Sequence, residues 1–231
     1  MSKTALFIQH QRLAPPAMLG DAFAEVGYDN ELLLVDETAV NIEFPDPRGF
    51  DVIIPLGATL PAYEPALLQT WVGAEMTMLR EADRAGVPVL GVCFGGQLLA
   101  QAHGGTVSRS DRPEIGWYTI ESDDRGLVPE GPWFQWHYDK WTNPPGAAEI
   151  ARNGNAAQAF VLRRSLAVQF HPELDSDLLA IWLQHDPEPW LDGAALDVAR
   201  LRHQTKTEQD AAAERVRRLV SGFLNYAHCQ R

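Results

Sequence analysis

Apolar positions in the first half of the chain come in two textures that alternate: short unbroken runs, then helical spacing. "TALFIQH" (Thr4–His10) is an apolar run of strand length, and "PPAMLGDAFAEVG" carries a helical pattern that stops at Gly27. "ELLLVD" and "DVIIPLG" (Asp51–Gly57) repeat the strand signature. Between Ala66 and Ala85, Leu68, Trp71, Val72, Leu79 and Ala82 recur at helical intervals, and Gly86 and Pro88 close the segment. "PVLGVC" predicts a fourth strand, with a helix from Phe94 to His103. Near-continuous apolar strands separated by amphipathic helices predict an α/β fold whose parallel sheet is covered on both faces.

From Gly105 to Phe170 the texture changes. "GTVSRS", "EIGWYTIE", "WFQWHYDK", "AQAFVLR" and "SLAVQF" read as short strands with turn signals between them. Helical patterning returns after Glu173 in "DLLAIWLQH", "LDVARLRH" and "DAAAERVRRLVSGFLNYA". In the last, Val216, Leu219, Val220, Phe223 and Leu224 form an apolar stripe that suits a terminal helix docked on the core, with a partner-binding helix as the alternative. "FPDPRGF" and "PAYEP" are loops, and no internal repeat or low-complexity tract is present.

Composition narrows the class. With 231 residues and 45% apolar content, one large domain, or a domain with an appendage, can bury a sizeable core. A formal charge of −12 argues against nucleic acid or an anionic membrane surface as the main partner. The start "MSKTALFIQHQRL" is too short in apolar residues for a signal sequence, and no apolar run approaches membrane-spanning length. Two cysteines, Cys93 and Cys229, cannot make a disulfide framework, so a cytoplasmic location is expected. No zinc-type Cys/His spacing and no phosphate-binding G-x-x-x-x-G-K-[ST] motif occurs, and neither metal nor cofactor is expected.

The candidate chemistry sits in "VPVLGVCFGGQLLAQAHGG". Cys93 lies where a strand ends and a helix begins, the corner at which open parallel sheets bind ligands. The positive end of a helix dipole and free N–H groups favour thiolate over thiol there. Gly91, Gly95 and Gly96 clear a sharp turn around it; the alternative is a cysteine packed as a small hydrophobe. A thiolate nucleophile needs a base, and the base an orienter. His171 follows the strand-like run of "AVQFHPE", and Pro172 biases it toward an extended backbone from which Glu173 can reach its ring. His103, before two glycines, reads as a helix C-cap, His137 as structural or pocket-lining, and Cys229 as incidental. The tryptophans 117, 133, 136 and 141 read as core and pocket wall.

"GVCFGGQLLA" followed by "QFHPE" resembles the nucleophile and base regions of the class I (triad) glutamine amidotransferases, over roughly residues 4–185. "EIGW" and "FQWHYD" resemble the free-standing, GMP-synthase-like branch, which includes γ-glutamyl peptidases. The resemblance implies a flavodoxin-like, doubly wound, mainly parallel sheet with a small antiparallel region. It implies an amidotransferase domain over 1–185 and a helical C-terminal extension over 186–231 packed on it. It also implies that Cys93 attacks the side-chain amide of glutamine, that His171 transfers the proton and that Glu173 orients it, through a γ-glutamyl thioester that water releases as glutamate. Backbone N–H groups of Phe94 and of the Gly57–Ala58 loop would hold the oxyanion. Gln97, Trp136, His137 and Asp139 fall where the family builds its glutamine pocket, Asp139 as the contact for the α-amino group.

Two positions depart from the family. Gly96 stands where a histidine or other larger residue is common, and Gly57-Ala58-Thr59 replaces the usual Gly-Gly-Pro. A positive φ at Ala58 would carry strain of about 1 kcal/mol or more. The tail after Glu173 is too short for a synthetase, so the expectations are a separate ammonia-accepting synthetase subunit or a hydrolase of glutamine or γ-glutamyl compounds. A γ-glutamyl peptidase is the alternative enzyme, and a non-catalytic regulatory or binding subunit the alternative of another class.

Overall fold

In the computed structural model, residues 2–35, 42–185, 190–191 and 194–230 are described. The first strand, β1 (Lys3–Gln9), is buried at every residue from Ala5 to Gln9, so it must be covered on both faces. Its side chains alternate between two cores. Ala5 and Phe7 join Leu19 and Phe23 of α1 (Ala17–Glu25) on one face. Leu6 and Ile8 join the other face, with Val72 and Leu79 of α2 (Trp71–Ala85) and Leu98 and Leu99 of α3 (Phe94–Ala102).

β1 pairs in parallel with β2 (Tyr28–Leu34) and with β3 (Val52–Pro55). A parallel bridge from Ile53 to Val89 leads on to β4 (Leu90–Val92). β4 pairs in parallel with β9 (Ser165–Val168), and beyond it the order is β8 (Ala157–Leu162), β7 (Ala148–Arg152), β5 (Val107–Ser122) and β6 (Gly131–Trp141), with antiparallel pairing. The flavodoxin-like α/β expectation holds: a parallel half in the order β2-β1-β3-β4-β9, then an antiparallel half. Helix α2 starts at Trp71, because Leu67–Gln69 forms a separate 3₁₀ turn, and it ends at Gly86 in the left-handed conformation. The last residue of "ELLLVD", Asp36, lies outside the described residues, as do residues 186–189 beside the expected domain boundary.

In the second half the chain is more continuous than its turn signals suggest. "GTVSRS" and "EIGWYTIE" are one strand, β5 (Val107–Ser122), whose register against β6 (Gly131–Trp141) shifts between Arg109 and Glu114. Pro113, which cannot donate to a ladder, lies in that shift and reads locally as a break. β7 (Ala148–Arg152) has no expected counterpart; it pairs with β5 and with β8 (Ala157–Leu162). After α4 (Ser176–His185), the two anticipated C-terminal helices form a single 32-residue helix, α5 (Val198–Cys229), with Asp197 capping it by accepting from the Arg200 N–H. Nothing between His203 and Asp210 is a helix breaker, and Thr205 is buried there, accepting from the Trp117 indole N–H at 2.9 Å. Val216, Leu219, Val220 and Phe223 are buried in the same core as Phe7 and Phe23, so the apolar stripe docks on the chain's own core.

Candidate active site

Cys93 is where β4 turns into α3, and it adopts φ 50°, ψ −107°, a conformation that side chains other than glycine rarely take. Its N–H donates to the Val168 carbonyl at 2.8 Å, which ties the corner to the end of β9. Close packing dictates the glycines on both sides: a Cβ on Gly95 would overlap the Pro55 carbonyl, and one on Gly91 would stand 2.8 Å from the Gly95 oxygen. Three strand ends therefore meet at one point.

From β9 the chain passes through Gln169 and Phe170 to His171, whose N–H donates to the Phe134 carbonyl at 2.8 Å. His171 Nδ1 lies 2.7 Å from Glu173 Oε1, and both side chains are almost fully buried. The chain does not run on extended from His171 to Glu173. Residues 172–173 form a turn, closed by the Leu174 N–H donating to the His171 carbonyl at 3.3 Å, and the turn brings Glu173 back to the ring. The carboxylate accepts, so Nδ1 carries a proton and Nε2 is left to face the site. Nε2 has no hydrogen-bond partner among the described residues, and the Trp182 indole stands edge-on to the ring at 5.0 Å. Gly57 holds the opposite side: a Cβ there would lie 2.9 Å from His171 Cε1 and 3.7 Å from Cys93 Cβ.

Burial disfavours charge on His171, but the Glu173 carboxylate and the Cys93 sulfur outweigh it and hold the imidazole well above the ordinary histidine range. A raised value in the folded state means that the charged ring's contribution to stability is complete below the ordinary value. It is lost as pH climbs through the folded value. In Glu173→Gln the imidazole should titrate at lower pH than in the wild type, and the variant should lose less stability on going alkaline. NMR titration of the His171 ring, with unfolding measured across the same pH range, checks both; an unmoved midpoint would remove Glu173 as its partner.

Neither Gly57 nor Ala58 has positive φ, so the anticipated strain at Ala58 does not arise. The N–H groups of Ala58 and Phe94 donate to no acceptor among the described residues. Beneath the two loops lies a pair that no sequence pattern marks. His10, at the end of β1, and Glu75, from α2, are both fully buried, with Nε2 at 2.9 and 3.0 Å from the two carboxyl oxygens. His10 Nδ1 lies 3.0 Å from the Leu56 carbonyl, which also accepts the Gly95 N–H at 3.1 Å. A carbonyl only accepts, so Nδ1 donates to it and Nε2 is the nitrogen turned to the carboxyl group. A single carbonyl thus ties the loop after β3 to the first turn of α3.

The other expected pocket residues separate. Gln97 is buried, with long contacts from Nε2 to Gln169 Oε1 at 3.4 Å and to the Asp139 carbonyl at 3.5 Å. Gln169, also unmarked in the sequence, places its amide 3.6 Å from Cys93 Sγ. Burial raises the Asp139 carboxyl above its ordinary value although Arg109 and His137 pull it down, and Oδ1 has no hydrogen-bond partner among the described residues. His137 is structural: it contacts the Asp139 carbonyl through Nδ1 and Glu114 through Nε2, and Glu114 is held by Asn153, Asn155 and Gln158. His103 is likewise a C-cap, with Nδ1 at 3.0 Å from the Leu99 carbonyl.

A cavity of about 330 Å³ opens beside His171, walled by Gly57, Ala58, Leu13, Ala14, Trp136 and Trp182. Gln97, His137 and Asp139 are not in its wall, and of the expected pocket residues only Trp136 is. A larger depression of about 790 Å³ against α2 contains none of the expected catalytic or pocket residues, so size alone does not find the site.

Residues 17–179 match the glutamine amidotransferase class-I family model. The chain belongs to the class I glutamine amidotransferases. Among solved structures, a glutamine amidotransferase from Methylobacillus flagellatus superposes with a TM-score of 0.87 at 25% identity, over 98% of this chain and 96% of that one. One from Thermotoga maritima, at 23% identity and a TM-score of 0.81, covers 96% of this chain and 98% of its own, and supports the fold alone. The glutamine-hydrolysing GMP synthase of Aeropyrum pernix is 39% identical over 124 residues, 47% of this chain and 24% of that protein. One subunit of the glutamine-hydrolysing GMP synthase of Sulfolobus acidocaldarius is 33% identical over 121 residues, 44% of this chain and 64% of its own. The amidotransferase thus matches only about a quarter of the length of the Aeropyrum relative. No helix among its described residues is long and apolar enough to cross a membrane.

Proposed function

We propose that this amidotransferase hydrolyses the side-chain amide of glutamine, or of a γ-glutamyl compound, through a covalent thioester. The observation that carries the reading is the strained Cys93 corner facing the His171–Glu173 pair. The Cys93 sulfur attacks the γ-carbonyl carbon, and the charge on the carbonyl oxygen is met by the free N–H groups of Phe94 and the Gly57–Ala58 loop. The C–N bond breaks as His171 Nε2 delivers its proton to the departing nitrogen. His171 then takes a proton from water, which attacks the thioester and releases glutamate with return of the thiolate. Glu173 positions the ring by accepting from Nδ1. Asp139, Gln97 and Gln169 lie on the side suited to the amino-acid head of the substrate.

Residues 1–185 form the catalytic domain in this reading, with 186–231 packed on it, in the cytoplasm. With glutamine as substrate, the ammonia goes to a separate synthetase subunit; the Sulfolobus relative, itself one subunit of a GMP synthase, supports that division of labour. A γ-glutamyl hydrolase is the second reading, and the apolar cavity beside His171 favours it. Hydroxylamine added during turnover tests the covalent step. A thioester should be intercepted as γ-glutamyl hydroxamate at the expense of glutamate. Glutamate release without any hydroxamate would mean direct attack by water.

A further inference from the structure

The two sides of the Cys93–His171 pair differ in character. On one side, against Cys93, stands Gln169, which with Gln97 and Asp139 lies outside the cavity wall; Asp139 Oδ1 is buried with no hydrogen-bond partner among the described residues and has Arg109 Nη1 3.8 Å away. On the other is the cavity of about 330 Å³, whose described wall holds no Asp, Glu, Lys or Arg; its ionisable side chains are His171 and His185, and His185 Nδ1 lies 3.1 Å from the Ile181 carbonyl. An α-ammonium and an α-carboxylate need counter-charges, so the glutamyl head belongs on the Asp139 side. The cavity is then left to whatever is attached to the departing nitrogen, since His171, which protonates that nitrogen, is part of the same wall.

Ammonia needs no such room. Trp136 and Trp182 meet there nearly at right angles, 86° with centroids 5.6 Å apart, and make an aromatic corner. The Trp182 indole N–H is already taken by the Leu13 carbonyl at 2.8 Å, so the ring offers its face and edge rather than a donor. The polar groups nearby are also engaged with each other: Gln11 Nε2 donates to Thr59 Oγ1 at 2.7 Å, and the Thr59 N–H donates to Gln11 Oε1 at 3.2 Å. What remains is a largely apolar recess with an aromatic corner next to the proton donor, an arrangement in which aromatic groups pack edge to face.

We infer that the substrate class of this site is γ-glutamyl amides of aromatic or bulky apolar amines, the amine substituent lodging between Trp136, Trp182, Leu13 and Ala14; this rests on the thioester reading above. The bonds exchanged are those of that reading. The γ-carbonyl passes from nitrogen to Cys93 and then to water, and the amine leaves neutral with the proton from His171.

The test is the ratio of kcat/KM values for γ-glutamylbenzylamide, γ-glutamylglycine and glutamine, measured by glutamate release with wild type and Cys93→Ala. The benzylamide should exceed both other substrates by about tenfold or more, reflecting ordinary discrimination by an apolar pocket. In Trp136→Ala and Trp182→Ala the benzylamide-to-glutamine ratio should collapse toward unity, whatever the absolute rates. If glutamine or γ-glutamylglycine is turned over as well as the benzylamide in a Cys93-dependent reaction, the leaving-group assignment falls and the thioester reading stands. An unchanged ratio in both tryptophan variants also overturns it. If no substrate yields Cys93-dependent glutamate, the thioester reading falls and takes this inference with it. The wild-type ratios decide the matter even if a tryptophan variant does not fold.

Discussion

Replacing Cys93 with alanine should lower glutamate release by on the order of 10⁴- to 10⁶-fold, because no other group in the site can carry the acyl intermediate. His171 and Glu173 would remain, but a base without its nucleophile can only activate water. The same corner yields a stability result with the opposite sense. Cys93 holds φ 50°, ψ −107° only because the surrounding strands and glycines impose it. Alanine inherits that strain, whereas glycine does not. Cys93→Gly should therefore be more stable than Cys93→Ala by about 1 kcal/mol, despite glycine's larger loss of chain entropy. Both variants should be inactive. Kinetics and denaturant unfolding on the two proteins read activity and strain separately, and a glycine variant less stable than the alanine one would show that the corner is relaxed.

The second large effect lies below the site. Glu75→Ala should destabilise the fold by about 2–4 kcal/mol, from a buried His10 nitrogen left without its partner and the cavity left by the side chain. That is a large part of the roughly 5–15 kcal/mol that holds a domain together. His10 has no water to turn to, being fully buried, stacked on Trp71 at 5.4 Å and edge-on to Phe94 at 5.1 Å. Glu75→Gln is the informative control. Its amide can donate to a neutral Nε2 while Nδ1 keeps its bond to the Leu56 carbonyl, so most of the stability should survive. Urea unfolding of the two variants checks this, and equal, small losses would mean that the pair contributes little.

The parallel half of the fold and the Cys93, His171 and Glu173 constellation were legible because their signals are local. A buried strand, a glycine-rich corner and a His-Pro-Glu turn each announce themselves within a few residues. The contact between Glu173 and the His171 ring forms through a turn, where the sequence suggests an extended segment. What stayed hidden depends on register and on pairing across the sheet. Glu114 and His137 each lie in a stretch that drew attention, yet only the β5–β6 register, which sets them opposite one another, makes them a structural pair. Position 10 and position 75 meet because α2 covers the end of β1, and no spacing rule links a strand end to a helix so distant in sequence. Gln169 sits in "AVQFHPE" itself, but a glutamine at a strand end has no pattern that marks it as a neighbour of a thiol. Trp182 looked like one more apolar residue of α4, and its contact with His171 follows only from how that helix packs.

The most direct measurement is covalent labelling with a glutamine-analogue diazoketone, followed by peptide mass spectrometry. One adduct per chain is expected on Cys93 and none on the exposed Cys229, with protection by a γ-glutamyl substrate. No adduct at Cys93, or equal labelling of Cys229, would contradict Cys93 as the nucleophile.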